Sequence, residues 1–115
     1  MTDVGTARDL GQDQPHPGVH RTVLSGTQAS LTEYRFDPGA CFPIHSHPQE
    51  QLTMVIEGLV QATVDGRLST LARGDWFIVD GEVAHGIVAG ASGARIYAVV
   101  APARRDDGEI ELSGR

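Results

Sequence analysis

Four residues in this chain have the type and spacing to hold a metal ion: His45, His47, Gln51 and His85. His45 and His47 are two positions apart. On an extended strand that spacing puts both imidazoles on one face, about 6–7 Å apart along the chain. Pro48 bends the chain after the pair, and Gln51 opens the next strand, from which its amide oxygen can reach the same point. His85 lies far along the chain, at the start of a strand that follows the turn-rich stretch Val79-Asp80-Gly81-Glu82-Val83-Ala84. Imidazole nitrogen binds zinc-type ions at about 2.0–2.1 Å, so the four side chains must converge on one point to bind together. Three neutral imidazoles and a neutral amide leave the charge of a divalent ion uncompensated. Such an ion is a strong Lewis acid that favours an anionic or enolisable small molecule.

The elements that must position these residues read as strands. Val19–Leu24, Ser30–Phe36, Gln51–Glu57, Leu59–Val64, Arg67–Leu71, Trp76–Val79, Ala84–Val88 and Ala94–Ala101 are short apolar or alternating runs. Asp37-Pro38-Gly39, Asp65-Gly66 and Arg73-Gly74-Asp75 are turns, with Asp65-Gly66 a hairpin signal. Gly58 separates two of the strands, and Gly90 and Gly93 mark a loop before the last. No helical period runs for eleven residues between Val19 and Ala101, and short strands at roughly ten-residue spacing predict an all-β sandwich or barrel. Residues 1–18 read as a flexible arm, 19–103 as one barrel domain and 104–115 as a flexible charged tail.

Composition narrows the function. The 115 residues suit one domain. A net charge of −6 with no basic stretch argues against nucleic acid as a partner. All nine basic residues are Arg, which excludes Schiff-base chemistry on a lysine. The single Cys41 excludes an internal disulfide and multi-thiolate metal sites. Neither a signal-peptide h-region nor an apolar run of membrane-spanning length is visible, so a cytoplasmic protein without a membrane partner is expected.

The segment from Gly39 to Gly58 resembles the first motif of the cupin superfamily. Gly39 is followed after five residues by His45-x-His47, after three more by Gln51, and after six more by Gly58. The second cupin motif is met at Gly74 and His85, with Asp80 and Glu82 where Pro and Gly are usual. The resemblance covers about residues 19–105. It implies a single cupin barrel (a double-stranded β-helix or jelly roll), one divalent metal ion (Zn, Ni, Mn or Fe) held by His45, His47, Gln51 and His85, and a homodimer paired through sheet edges. Glu50 sits beside Gln51, but strand parity points it outward.

Gln in place of the commoner Glu is similar to the small cupins of pectin degradation and to cyclase cupins of natural-product pathways. Ala101-Pro102-Ala103-Arg104 resembles the tail of the former group, which implies that Arg104 binds a substrate carboxylate. Ala98 and Val100 replace that group's acidic and aromatic residues, and Ile96, Ala98 and Val100 would make one wall apolar. Tyr34 is a candidate general acid. Cys41, at the parity of His45, reads as a small buried hydrophobe. His16 and His20 lie outside the motif, and Met54, Trp76 and Phe77 read as core or subunit-contact residues. The expected activity is a non-oxidative isomerase, lyase or cyclase. An iron-dependent dioxygenase and a non-catalytic metal- or small-molecule-binding module are the alternatives.

Overall fold

A computed structural model describes residues 2–104 and 111–112. Its architecture is nearly all β. A single 3₁₀ turn, Ala7–Asp9, precedes β1 (Gln12–His16), β2 (Val19–Ser25), β3 (Ser30–Phe36), β4 (Cys41–Ser46), β5 (Glu50–Val64), β6 (Arg67–Ala72), β7 (Trp76–Val79), β8 (His85–Ala101) and β9 (Glu111–Leu112).

All pairings are antiparallel, and β5 and β8 belong to both halves of the molecule. In the first half the order is β1, β2, β3, the end of β8, the start of β5 and β7. In the second it is β9, β4, the start of β8, the end of β5 and β6. The inward residues of the two halves form one core: Val19, Tyr34, Phe36, Val55 and Ile96 from the first meet Phe42, Val60, Ala62, Ile87 and Ala89 from the second. That burial follows from period-2 patterning. Along β3, Ser30, Thr32, Tyr34 and Phe36 are buried while Leu31 and Arg35 are exposed.

Gly58 and Gly93 do not break strands as their composition suggested. They let two long strands bend. Both have positive φ, 81° and 76°. A Cβ on Gly58 would lie 2.2 Å from the Gly93 carbonyl oxygen, and one on Gly93 would lie 2.6 Å from the Phe36 carbonyl oxygen. Only glycine lets the backbones approach so closely at such dihedrals. The ladder between β5 and β8 skips register beside Gly58 and continues to the end. By contrast, Asp65 and Gly66, at φ 51° and 78°, make the tight hairpin their sequence announced.

Two other expectations are corrected. Residues 12–16 are not part of a free arm: they pair as β1 with β2, joined also by an Arg21 Nε donation to Asp13 at 2.9 Å. Pro15 obscures this strand in the sequence, but a strand at the sheet edge tolerates proline. Cys41 is exposed, not buried. An irregularity between Phe42 and His45 in the ladder with β8 breaks the alternation, so Phe42 and His45 both point inward and Cys41 outward. Of the charged tail, Arg104 is described, β9 runs beside β4, and residues 105–110 and 113–115 lie outside the described residues.

Candidate metal centre

His45 and Ser46 end β4, Gln51 begins β5 and His85 begins β8. The backbone pairs His45 directly with His85, so their rings lie side by side with centroids 4.3 Å apart. His47 follows β4 in the turn before β5, and its ring centroid is 5.7 Å from His45 and 4.8 Å from His85. All three rings are buried, and one ligating atom from each lies within 4.8 Å of the others. The three imidazoles could hold a metal ion.

Their protonation is set by backbone carbonyls. Nδ1–H of His45 donates to Pro43 (2.8 Å), that of His85 to Val83 (2.9 Å) and that of His47 to Gln49 (3.1 Å). A carbonyl can only accept, so Nδ1 carries the proton in each ring and Nε2 is left with its lone pair free. Burial pushes the His45 imidazole down to about 3, with His85 adding to the effect. His47 and His85 are lowered as well, again chiefly by burial. Three neutral imidazoles with fixed tautomers are the state a cation needs.

Gln51 completes the ring of donors. Its Nε2 donates to Thr53 Oγ1 at 2.9 Å, which turns Oε1 toward His47 Nε2 at 3.0 Å. In that orientation two acceptor atoms face each other in a buried space. A protonated His47 would relieve this, but burial disfavours the charge. A cation between the two atoms satisfies both. His85 Nε2 is buried and has no hydrogen-bond partner among the described residues. These orphaned acceptors fit a metal ion.

Beside the donors, a cavity of about 20 Å³ is lined by Tyr34, Phe36, Phe42, Ile87 and Ile96 as well as His45, Gln51 and His85. About 10–15 Å³ suffices for one water, so the cavity has room for one water-sized body. Phe42 supports the floor, 4.4 Å from His45 and edge-on to Tyr34 at 5.5 Å between centroids. Ile96, Ala98 and Val100 are buried on the inner face of β8, as their alternation predicted.

Arg104 lies at the exit of β8, where its backbone N–H donates to Ser30 Oγ at 2.8 Å. Its charge contributes to the lowering of His45, His47 and His85, which puts the guanidinium within electrostatic reach of all three. Its Nε is buried without a partner among the described residues. Glu50 is exposed.

Sequence reasoning overlooked three supporting groups. Thr53 orients Gln51 from the next inward position. The Pro43 and Val83 carbonyls sit at the same offset, two residues before their histidines. His16 packs edge-on against Phe42 at 4.6 Å, within one ring of His45. His20 instead faces the Asp37 carboxylate at 3.3 Å.

A two-halved antiparallel β-barrel with three inward imidazoles defines a class of small barrels whose interior could hold a metal ion. The family model described as "Cupin domain" matches residues 32–100, and the chain belongs to that family. Among solved structures it is similar to an RmlC-like cupin from Shewanella frigidimarina, with 28% identity, a TM-score of 0.83, and 92% of this chain and 96% of that one covered. It is also similar to KdgF from Halomonas sp., at 24% identity and a TM-score of 0.82, with 94% and 99% covered. Oxalate decarboxylase from Bacillus subtilis shares the fold at 19% identity and a TM-score of 0.83, with 96% of this chain matched to 34% of that larger one. No curated protein matches the chain.

Proposed function

We propose that this chain is a metal-dependent enzyme that carries out a non-oxidative isomerisation, elimination or cyclisation on a small carboxylate or enolisable carbonyl compound. The observation that carries this reading is the charge of the donor set. His45, His47, His85 and Gln51 bring no negative charge to the site, and the charge from outside the donor set that acts on all three imidazoles is the Arg104 cation. A divalent ion on these four donors, with Zn, Ni, Mn or Fe all suited to them, supplies Lewis acidity and its full field to a bound anion.

The remaining groups define what the chain itself does. Arg104 offers its guanidinium, whose Nε–H has no partner among the described residues, to a substrate carboxylate, a pairing that gives geometric specificity as well as attraction. Ser30, by holding the Arg104 backbone, fixes where that carboxylate sits. Tyr34 lines the same cavity and serves in this reading as the general acid. Ile96, Ala98 and Val100 keep water from the inner wall, which strengthens every charge interaction there. The reading includes a cytoplasmic homodimer.

The test combines metal analysis with turnover. The wild type should bind one divalent ion, and His47→Ala and Gln51→Ala should lose it or hold it more weakly. The metal-loaded wild type should turn over a small carboxylate or enolisable substrate without consuming oxygen. Full metal retention in both variants would remove the site. Iron-dependent oxygen uptake would replace the reaction class with a dioxygenase.

A further inference from the structure

Along the inward side of β3 the order is Ser30, Thr32, Tyr34 and Phe36, all buried. Ser30 Oγ accepts from the Arg104 backbone N–H and lies 2.8 Å from Ser25 Oγ. Tyr34 and Phe36 line the cavity beside the metal-binding side chains. Thr32 has no such role. It is 0% exposed, and its Oγ1 has no hydrogen-bond partner among the described residues. A buried hydroxyl in that state costs stability, and a valine of nearly the same shape would avoid the cost. A hydroxyl kept under this penalty points to a partner that arrives with a ligand.

The register places this hydroxyl among the parts of the site. Cross-strand partners share a face. Thr32 pairs with Ala98, and Ala98 pairs with Thr53, which holds the Gln51 amide. Ala98 is the smallest of the three inward residues at the end of β8, so little side chain stands between the two hydroxyls. On its own strand Thr32 lies between Ser30, which anchors Arg104, and Tyr34, each about 6.8 Å away along the chain. The Tyr34 ring meets Phe42 and Phe42 meets His45, at 5.5 and 4.4 Å between centroids. The wall that carries Thr32 therefore stands across from the imidazoles. From its anchor on Ser30, Arg104 acts by its charge on His45, His47 and His85, and its Nε is buried. Its guanidinium thus belongs to the space between the two walls. Arg21, beside Tyr34 in the register, is committed to the Asp13 carboxylate, to which its Nε–H donates at 2.9 Å.

We infer that Thr32 contacts the substrate, its hydroxyl donating to the same carboxylate that the Arg104 guanidinium holds. The inference rests on the reading of Arg104 as the carboxylate-binding residue, and it narrows the substrate class. An ionised carboxylate has two oxygens that only accept, so one such group satisfies both Thr32 Oγ1–H and Arg104 Nε–H. The oxygen that meets the donors on the facing wall must then come from another part of the same molecule. The substrate is a small carboxylate with a second oxygen function, a carbonyl or a further carboxylate, at its other end.

The test is calorimetric titration of the full chain, metal-free and zinc-loaded, with malonate, succinate and glutarate. At least one of these should bind the wild type, and more tightly with zinc. Thr32→Val should weaken that binding about 10-fold or more in both metal states, the loss expected for one hydrogen bond to a charged group, while zinc affinity stays at the wild-type value. Thr32→Ser keeps the hydroxyl and should retain most of the affinity. The metal-free Thr32→Val protein should reach at least the wild-type urea midpoint, because an unpartnered hydroxyl has been removed. A hydroxyl serving only the fold would give a lower midpoint. Binding of none of the three acids to the wild type, unchanged affinity in Thr32→Val, or a lowered midpoint would overturn the inference. Absence of zinc uptake by the wild type, together with weaker dicarboxylate binding in Thr32→Val, would count against the metal reading and support Thr32 as a carboxylate contact.

Discussion

The Oε1 atom of Gln51 and the Nε2 atom of His47 face each other at 3.0 Å, both as acceptors, because Thr53 holds the amide and the Gln49 carbonyl holds the imidazole. Two lone pairs aimed at one buried point form a site made for a positive charge.

Thr53 reaches the site only through Gln51. Partners of this kind typically influence metal affinity by 10–100-fold. Thr53→Val should lower affinity for a divalent ion within that range while the fold is kept, as read by competition with a chromophoric chelator. Thr53→Ser, which retains the hydroxyl, should restore most of the loss. Equal affinity in all three proteins would show that Thr53 does not orient the amide.

Gln51→Glu adds a carboxylate to an otherwise neutral donor set. Metal should be held more tightly, since charge is now compensated, and anions should bind the loaded site more weakly. Calorimetric titration of the metal-free proteins with zinc checks the first direction, and titration of the zinc-loaded proteins with a small dicarboxylate checks the second. Stronger anion binding in Gln51→Glu would contradict the charge argument.

Acid should destabilise the metal-free protein well above the range in which carboxylates titrate. His45, His47 and His85 have lowered values in the fold, His45 near 3, whereas in the unfolded chain they protonate near 6.5. Below about 6.5 the unfolded state therefore binds more protons than the native state, and stability falls as pH falls toward 3. The urea midpoint should decrease between pH 7.5 and 5, and saturating zinc should reduce that decrease at the upper end of the window. A flat midpoint across the window would mean that the rings titrate normally in the fold.

Gly58→Ala and Gly39→Ala separate backbone strain from collision. Both residues have positive φ, 81° and 72°. A Cβ at Gly39 meets nothing within 4 Å, whereas one at Gly58 would lie 2.2 Å from the Gly93 carbonyl oxygen. The Gly39 variant should lose about 1–3 kcal/mol, the usual cost of such a dihedral. The Gly58 variant should lose clearly more or fail to fold. Thermal unfolding compares them, and equal losses would discount the collision.

Much of the site was legible because its cues are local. The two-residue spacing of His45 and His47, the position of Gln51 after Pro48 and the turn before His85 each constrain a few neighbouring residues. The inward and outward sides of β3 and the end of β8 followed from alternation. What failed depends on contacts between distant strands. Gly58 and Gly93 looked like punctuation because their composition does not reveal that each backbone presses on another strand. Cys41 was assigned to the wrong side because an irregularity before His45 shifts the parity. Strand β1 carries Pro15 and polar residues, and only β2 beside it makes it a strand. Carbonyls such as Pro43 and Val83 carry no signature in a side-chain alphabet, yet they decide which nitrogen of each ring is free.

Strand β8 starts at His85 beside His45 and, fifteen residues on, sets Val100 beside Gln51, just before the segment that leads to Arg104. One uninterrupted ribbon thus measures the distance between the two ends of the pocket, much as a ruler does. Adding or deleting a single residue within it would turn one end of the pocket outward relative to the other. Chains of this design can vary in what they recognise by exchanging side chains along the ribbon or by reshaping turns such as Asp65-Gly66, but the length of the ribbon itself must stay constant.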